Sequence, residues 1–259
     1  MTKKKKEYWE EVDELYDEVY GKAKEEIKKE YERLFDELEP MMLGMLLDYQ
    51  QKQLEGRLTN NTIYSFNKYY KLLDTIQIKL KKLGDKEERI IATSLTEMYE
   101  KTSKLVGETI GFNQPITDLQ VQQAISTPWC EGKRFSDRIW SNKGKLVEVM
   151  RKGLADIALT GAKRDKVTKE LMKMFNVGYE QADRLVRTEL NYQNNKAALD
   201  TMVKAGIKKF RVLTAQDDRV CKECEEISKK VFNIEEATVG VNVPPFHPNE
   251  RCTIVAVRE

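Results

Sequence analysis

The sequence predicts a mainly α-helical protein that ends in a small α+β module. Long stretches carry an apolar residue at every third or fourth position, which is the period of an amphipathic helix. Only after about residue 207 does this pattern change to the alternation that is typical of short strands. The same final stretch holds three of the four cysteines and the only histidine of the 259-residue chain. We therefore expect an elongated helical N-terminal region followed by a module that a bound zinc ion stabilises.

The first predicted helix covers residues 7–38, where one apolar stripe runs through eight or nine turns. Pro40 is expected to stop or kink this helix, since proline lacks the backbone N–H that an interior turn requires. Residues 41–58 then predict a second, more buried helix, and "TNNT" at 59–62 offers a break and an N-cap. The stripe of the first helix consists of Tyr8, Val12, Leu15, Val19, Ala23, Ile27, Tyr31, Leu34 and Leu38.

A third helix is predicted from Ile63 to about Gly84, and a fourth over about 86–110. Helices of this length favour extended arms or self-association. We place a domain boundary here, with residues 1–110 as the helical region and residues 111–259 as the second domain.

The second domain begins with a change of composition. Residues 111–145 contain Pro, Gly, Ser and Trp in close succession, which predicts turns and short helices. Helices are then expected over about 145–159, 164–175 and 179–204, with Gly206 at the C-terminal cap of the last one.

Three short strands are predicted after the last helix, at 208–215, 231–234 and 252–257. They define a β-containing module at about 207–259.

Charge and hydropathy exclude several classes of protein. Lys and Arg number 45 and Asp and Glu 43, so the net charge is only +2. This balance argues against a dedicated nucleic-acid coat. The start "MTKKKKEYWEE" has no apolar stretch behind it, as a secretory signal would. The most apolar run, residues 40–49, is far shorter than the ~20 residues of a membrane span. We expect a protein made in the cytoplasm that does not enter the membrane.

The chemistry of the C-terminal module points to a metal. Cys221 and Cys224 form a Cys-x-x-Cys pair, and His247 and Cys252 follow later in the chain. Three thiolates and one imidazole suit a tetrahedral zinc ion. The alternative is that the cysteines are small buried side chains and the histidine a hydrogen-bonded loop residue. Glu250 lies between His247 and Cys252 and is a candidate catalytic base. Four soft ligands, however, favour a closed, structural site.

Other catalytic patterns are missing from the sequence. It has no phosphate-binding Gly-rich motif, no His-Glu-x-x-His, and no Gly-x-Ser-x-Gly. The pair Asp217 and Asp218 is interpreted as a turn, and Cys130 as a structural thiol. We assign structural roles to Arg187 and Glu189, which are too close in sequence to share a helix face and should each contact a different partner in the C-terminal module.

Four stretches of the sequence resemble one known family, the phage head-morphogenesis or minor capsid proteins named for the Mu F protein. In chain order they are "PWCEGKRFSDRIW", "ADRLVRTELNYQNNKAA", "AGIKKFRVLTAQDDRVCKEC" and "VNVPPFHPNERCTI". The family's usual His-Pro-Asn-Cys-Arg-Cys appears here as His-Pro-Asn-Glu-Arg-Cys. Glu250 thus replaces a cysteine, and either Cys252 or Glu250 itself must supply the fourth ligand.

The resemblance implies a non-enzymatic virion protein, present in few copies and associated with portal, capsid or scaffold proteins. It would lie inside the capsid, and in the host cytoplasm during assembly. An alternative is a DNA-binding or ejection-assisting internal virion protein, suggested by Lys3–Lys6. A further alternative is a metal-dependent hydrolase or nuclease with Glu250 as its base.

Overall fold

The computed structural model describes residues 3–57, 63, 66–160, 164–215 and 220–257. Six helices and three strands are present in these residues, so the predicted fold class, mainly α with a small sheet near the C-terminus, is confirmed. The helices are α1 (Lys3–Leu54), α2 (Asn67–Ile110), α3 (Asp118–Ser126), α4 (Phe135–Thr160), α5 (Arg164–Lys204) and α6 (Lys222–Ser228), and the strands are β1 (Lys209–Leu213), β2 (Phe232–Asn233) and β3 (Thr253–Val257).

Helix α1 does not stop at Pro40. The proline lies inside a continuous helix, so the predicted division into two helices is wrong. An interior proline costs about 3 kcal/mol relative to alanine. Against this cost, the apolar stripe keeps its phase across the proline, with Leu38, Met42, Met45 and Tyr49 all buried. Each such side chain contributes about 1.5–3 kcal/mol on burial, which outweighs the lost hydrogen bond.

Two further predicted helix ends are also wrong, because each falls at a glycine that serves close packing. Helix α2 continues through Gly84, where a Cβ atom would lie 2.6 Å from Cζ3 of Trp140. Helix α5 continues through Gly178, where a Cβ atom would lie 2.6 Å from Cδ2 of Leu146. These glycines admit a neighbouring side chain rather than ending a helix.

Helix α4 begins at Phe135, about ten residues before the predicted start. The loop before it contains Glu131 and Gly132 in the left-handed region. The helix breaks predicted at 59–62 and within 160–165 fall on or next to residues 58–62 and 161–163, which lie outside the described residues.

The chain divides into two compact units. One consists of residues 1–24, 90–135 and 184–259, and the other of residues 25–89 and 136–183. The domain boundary predicted at residue 110 stays a prediction.

The first unit contains the sheet. β1 is central and pairs antiparallel with β2 on one side and β3 on the other. The three predicted strands are thus confirmed, as is the cap at Gly206, which has φ +71°. There Ile207 N–H donates to the Met202 carbonyl and Gly206 N–H to the Val203 carbonyl, a Schellman motif that satisfies the last turn of α5.

The core of this unit joins the sheet to helices from distant parts of the chain. Phe210, Val212 and Ile254 of the sheet pack with Met202 of α5 and Tyr8 of α1. The Tyr8 hydroxyl donates to the Ile254 carbonyl at 3.1 Å. The short strands are therefore held mainly by helices, since three strands alone offer little apolar area.

Candidate metal centre

The Cys-x-x-Cys pair is built by the start of α6. Cys221 is the N-cap residue, and its Sγ accepts a hydrogen bond from the backbone N–H of Cys224 at 3.3 Å. This hydrogen bond spans the first turn and turns both sulfur atoms to the same side. The sequence spacing alone predicted this arrangement.

His247 reaches the two sulfur atoms from a loop. Its Nε2 lies 3.4 Å from Sγ of Cys221 and 3.4 Å from Sγ of Cys224. Its Nδ1 lies 3.1 Å from the carbonyl oxygen of Pro248, which can only accept, so Nδ1 is the donor. Nε2 then carries the unprotonated lone pair and faces the thiols. A metal-binding imidazole has the same arrangement when a backbone carbonyl fixes its other nitrogen.

Glu250 closes the loop that carries the histidine. One carboxylate oxygen accepts hydrogen bonds from the backbone N–H groups of Phe246 and His247. Asn249, just before Glu250, has a left-handed φ of 62°. The other oxygen lies 3.6 Å from Sγ of Cys224. Glu250 therefore shapes the His247 loop and at the same time faces the sulfur cluster.

Cys252 is fixed by side chains that the sequence analysis did not single out. Its carbonyl oxygen accepts hydrogen bonds from Asn191 at 3.0 Å and from Asn195 at 3.1 Å, both buried on α5. A further amide on the same helix, Asn194, donates to Thr253 at 3.2 Å. The signal in the sequence was the run "NYQNN", in which amides occupy positions that continue the inward face of α5.

The five side chains form two overlapping groups. Cys221, Cys224 and His247 have their ligand atoms within 4.8 Å of one another, and so do Cys224, Glu250 and Cys252. All five are thus positioned to hold a metal ion. A tetrahedral zinc ion, with Zn–S of about 2.3 Å and Zn–N of about 2.0 Å, separates neighbouring ligand atoms by about 3.5 Å. The two sulfur to Nε2 distances agree with that separation, so the donors fit zinc in type and in spacing.

The pKa of Cys221 is shifted in the opposite direction from the pKa values of Cys224 and Cys252. Cys221 has a lowered pKa, because the Cys224 N–H and then the His247 ring stabilise its thiolate. The pKa of Cys224 is raised by burial, by the Cys221 thiol and by the charge of Glu250. The pKa of Cys252 is raised by burial and by Glu250. For His247, burial alone would lower the pKa, but the Pro248 carbonyl, Cys221 and Glu250 raise it. Burial and the Glu250 charge therefore oppose ionisation of Cys224 and Cys252, and a bound divalent cation would favour their thiolate forms.

The two residues predicted to be structural, Arg187 and Glu189, contact aromatic side chains. Trp129 donates its indole N–H to Glu189 at 2.9 Å, and its ring stacks on Tyr192 with centroids 4.5 Å apart. The Arg187 guanidinium lies over the Tyr20 ring at 4.7 Å. Glu189 and Arg187 thus contact different parts of the first unit.

Three further features of the sequence are Cys130, the pair Asp217 and Asp218, and the run Lys3–Lys6. Cys130 forms an isolated bridge with Lys133 in the loop before α4, remote in sequence from the other cysteines. Asp217 and Asp218 lie outside the described residues, as do the side chains of Lys3–Lys6.

Comparison with known proteins confirms the resemblance over the C-terminal part of the chain. Residues 148–255 match the family model of Phage Mu protein F like proteins. This Mu F-like segment runs from α4 to β3 and includes all five side chains of the candidate metal centre. No curated protein and no solved structure matches the chain. No described helix has the length and apolar character needed to cross a membrane.

Proposed function

We propose that this protein is a minor capsid protein that acts in head morphogenesis of a tailed phage or prophage. It associates with the portal and with capsid or scaffold proteins of the procapsid, and its role is structural rather than catalytic. It is located in the host cytoplasm during assembly and inside the capsid of the mature virion. The observation that carries this proposal is the match of the Mu F-like segment, residues 148–255.

The metal centre in this proposal is a structural zinc site. Cys221, Cys224 and His247 supply three ligands, since Nε2 of His247 lies 3.4 Å from each sulfur atom, the separation that tetrahedral coordination requires. Cys252 supplies the fourth, with Glu250 as the alternative. Bound zinc would join α6, the His247 loop and the start of β3, and metal binding would then contribute directly to folding.

The hydrogen bonds that Glu250 already makes within the protein support a structural site rather than a catalytic one. A catalytic base needs a carboxylate that can reach a water molecule at an open coordination position. The Glu250 side chain is buried, and two backbone N–H groups already occupy one of its oxygens. Its other oxygen points to Cys224. This carboxylate is held by the protein and serves to shape the loop.

Zinc binding is tested by elemental analysis of the purified chain. We expect one zinc per chain, lost in Cys221→Ser together with protease resistance of residues 207–257. Cys130→Ser is the matched control and should keep both the metal and the resistance. A metal-free wild-type chain with an intact, protease-resistant C-terminal module contradicts the zinc site.

The fourth ligand is tested by replacing zinc with Co²⁺, whose thiolate charge-transfer absorption grows with the number of sulfur ligands. If Cys252 is a ligand, Cys252→Ser lowers this absorption by about a third, since three thiolates become two. Glu250→Gln should then leave it unchanged. If Glu250 is the ligand instead, Cys252→Ser leaves the charge-transfer absorption unchanged, and Glu250→Gln weakens Co²⁺ binding in a titration.

The assembly role is tested by isolating procapsids from cells in which the phage head forms. We expect the chain to cross-link to the portal protein, at a few copies per particle. Absence of the chain from procapsids, or cross-links to tail proteins only, contradicts the proposal. The same particles distinguish the DNA-binding alternative, because association through phosphate contacts would weaken steeply between low and moderate salt.

A further inference from the structure

The solvent-exposed side of α1 changes from mostly charged to uncharged residues in the last third of the helix. Residues 40, 41, 44 and 47 are exposed and uncharged, and positions with this spacing lie on one face of a helix. Met41 is 43% exposed and Leu47 48% exposed. Earlier on α1 the exposed positions are dominated by Glu, Asp and Lys. We call residues 33, 37, 40, 41, 44, 47, 51 and 55 the outer face of α1.

Gly44, at the centre of this face, has no packing role within the chain. At Gly84, Gly107 and Gly178 a Cβ atom would collide with a neighbour, whereas at Gly44 it would meet nothing within 4 Å. A glycine inside a helix costs roughly 0.5–1 kcal/mol relative to alanine. Gly21 on the same helix is equally open, but charged residues flank it. Gly44 combines an open backbone with exposed apolar neighbours, a combination that allows another helix to approach closely.

The charges at the two ends of the outer face are opposite and equally distant from Gly44. Arg33 precedes it by eleven residues (44 − 33) and Glu55 follows it by eleven (55 − 44). Eleven residues are about three helical turns, so both side chains lie on the same face as Gly44. The side chains are exposed, by 67% for Arg33 and 35% for Glu55. Glu55 continues the helical hydrogen bonding, since its N–H donates to the Gln51 carbonyl.

These positions make the face complementary to itself in one orientation. When two copies of α1 cross antiparallel about a two-fold axis at Gly44, a residue at 44 + n meets the residue at 44 − n of the other copy. Arg33 then faces Glu55, and Met41 faces Leu47. A parallel crossing would place Arg33 against Arg33 and Glu55 against Glu55, which is repulsive. Within the chain, Arg33 pairs with Glu30 and Glu55 pairs with Arg57. The Arg33 and Arg57 side chains are well exposed, so both pairs are worth little and can rearrange.

We propose that the outer face of α1 is the interface of an antiparallel homodimer, centred on Gly44. A two-fold contact of this kind is isologous, so every pairing occurs twice. The face offers about eight residues a side, fewer than the ~20–30 of a standard interface, and the dimer should therefore dissociate reversibly in the micromolar range.

The test is sedimentation equilibrium of the full-length chain across a concentration series. Arg33→Glu and Glu55→Arg should each weaken the dimer at least tenfold, because each sets like charges against each other twice. The double variant carrying both changes should recover most of the wild-type affinity. Lys28→Glu is the matched control, since it makes the same charge change on the opposite side of α1, and it should have no effect.

Gly44→Gln gives an independent measurement, because it fills the crossing point without changing charge. It should also weaken the dimer, while circular dichroism shows unchanged helix content. A wild-type chain that stays monomeric at several hundred micromolar overturns the proposal. So does a dimer that the double charge exchange fails to restore. These outcomes are independent of zinc binding and of portal association.

Discussion

A buried ion pair in the second unit, between Lys143 of α4 and Glu87 of α2, makes a quantitative prediction possible. The two side chains are 6% and 2% exposed. The Lys143 ammonium also donates to the Tyr31 hydroxyl at 2.5 Å, and Tyr31 donates to the Gly178 carbonyl at 2.9 Å. Removing one member leaves an uncompensated buried charge, which costs about 3–5 kcal/mol. We therefore expect Lys143→Met to lose stability in that range near neutral pH.

The double variant Lys143→Met with Glu87→Met should recover most of this loss. Replacing both charges by apolar side chains of similar volume removes the desolvation cost together with the attraction. Lys145→Met, at an exposed position on the same helix, is the control and should change stability by less than about 0.5 kcal/mol.

The loss in Lys143→Met should shrink as the pH falls. Burial raises the pKa of Glu87, and Lys143 opposes that increase. Without the lysine the folded-state pKa of Glu87 lies further above its unfolded value of about 4.3. A raised folded-state pKa means that the folded state takes up a proton more readily, so stability is gained as the pH falls through that pKa. The difference from wild type should thus narrow between neutral pH and about pH 5.

The assay is urea unfolding of the full-length chain, followed by circular dichroism at several pH values. A single variant that loses less than about 1 kcal/mol, or a double variant no more stable than the single one, would refute the reasoning.

Four other substitutions follow from the structure. Pro40→Ala should raise the unfolding free energy by about 1–3 kcal/mol, because α1 is continuous and gains a hydrogen bond. Gly107→Ala should lower it by about 1–3 kcal/mol, since the new Cβ lies 2.5 Å from a backbone carbonyl oxygen, whereas Gly144→Ala meets nothing and should raise it by about 0.5–1 kcal/mol. Asn191→Leu should weaken zinc affinity by about tenfold in a chelator competition, because it removes a hydrogen bond that orients Cys252; unchanged affinity would contradict that role.

Much of the candidate metal centre was predictable because its chemistry is local or rare in the chain. Cys221 and Cys224 are three residues apart, so one turn of backbone places their sulfur atoms together whatever the rest of the chain does. His247 stood out as the only histidine. Asn191 and Asn195 were not predicted, since their role depends on where β3 packs against α5, some sixty residues away in sequence.

The helices, too, have features that the sequence predicts and features that it does not. Periodicity alone determined that the chain is mainly helical, which faces are buried, and that strands begin after Gly206, because these follow from residue spacing. The sequence did not determine every helix end, although it placed the C-terminal cap of α5 at Gly206. Pro40, Gly84 and Gly178 each carry a local penalty that predicts an end, yet each lies inside a helix. That outcome depends on tertiary structure, because apolar burial on both sides of the residue, or a side chain packed into the space left by a missing Cβ, outweighs a penalty of about 1–3 kcal/mol.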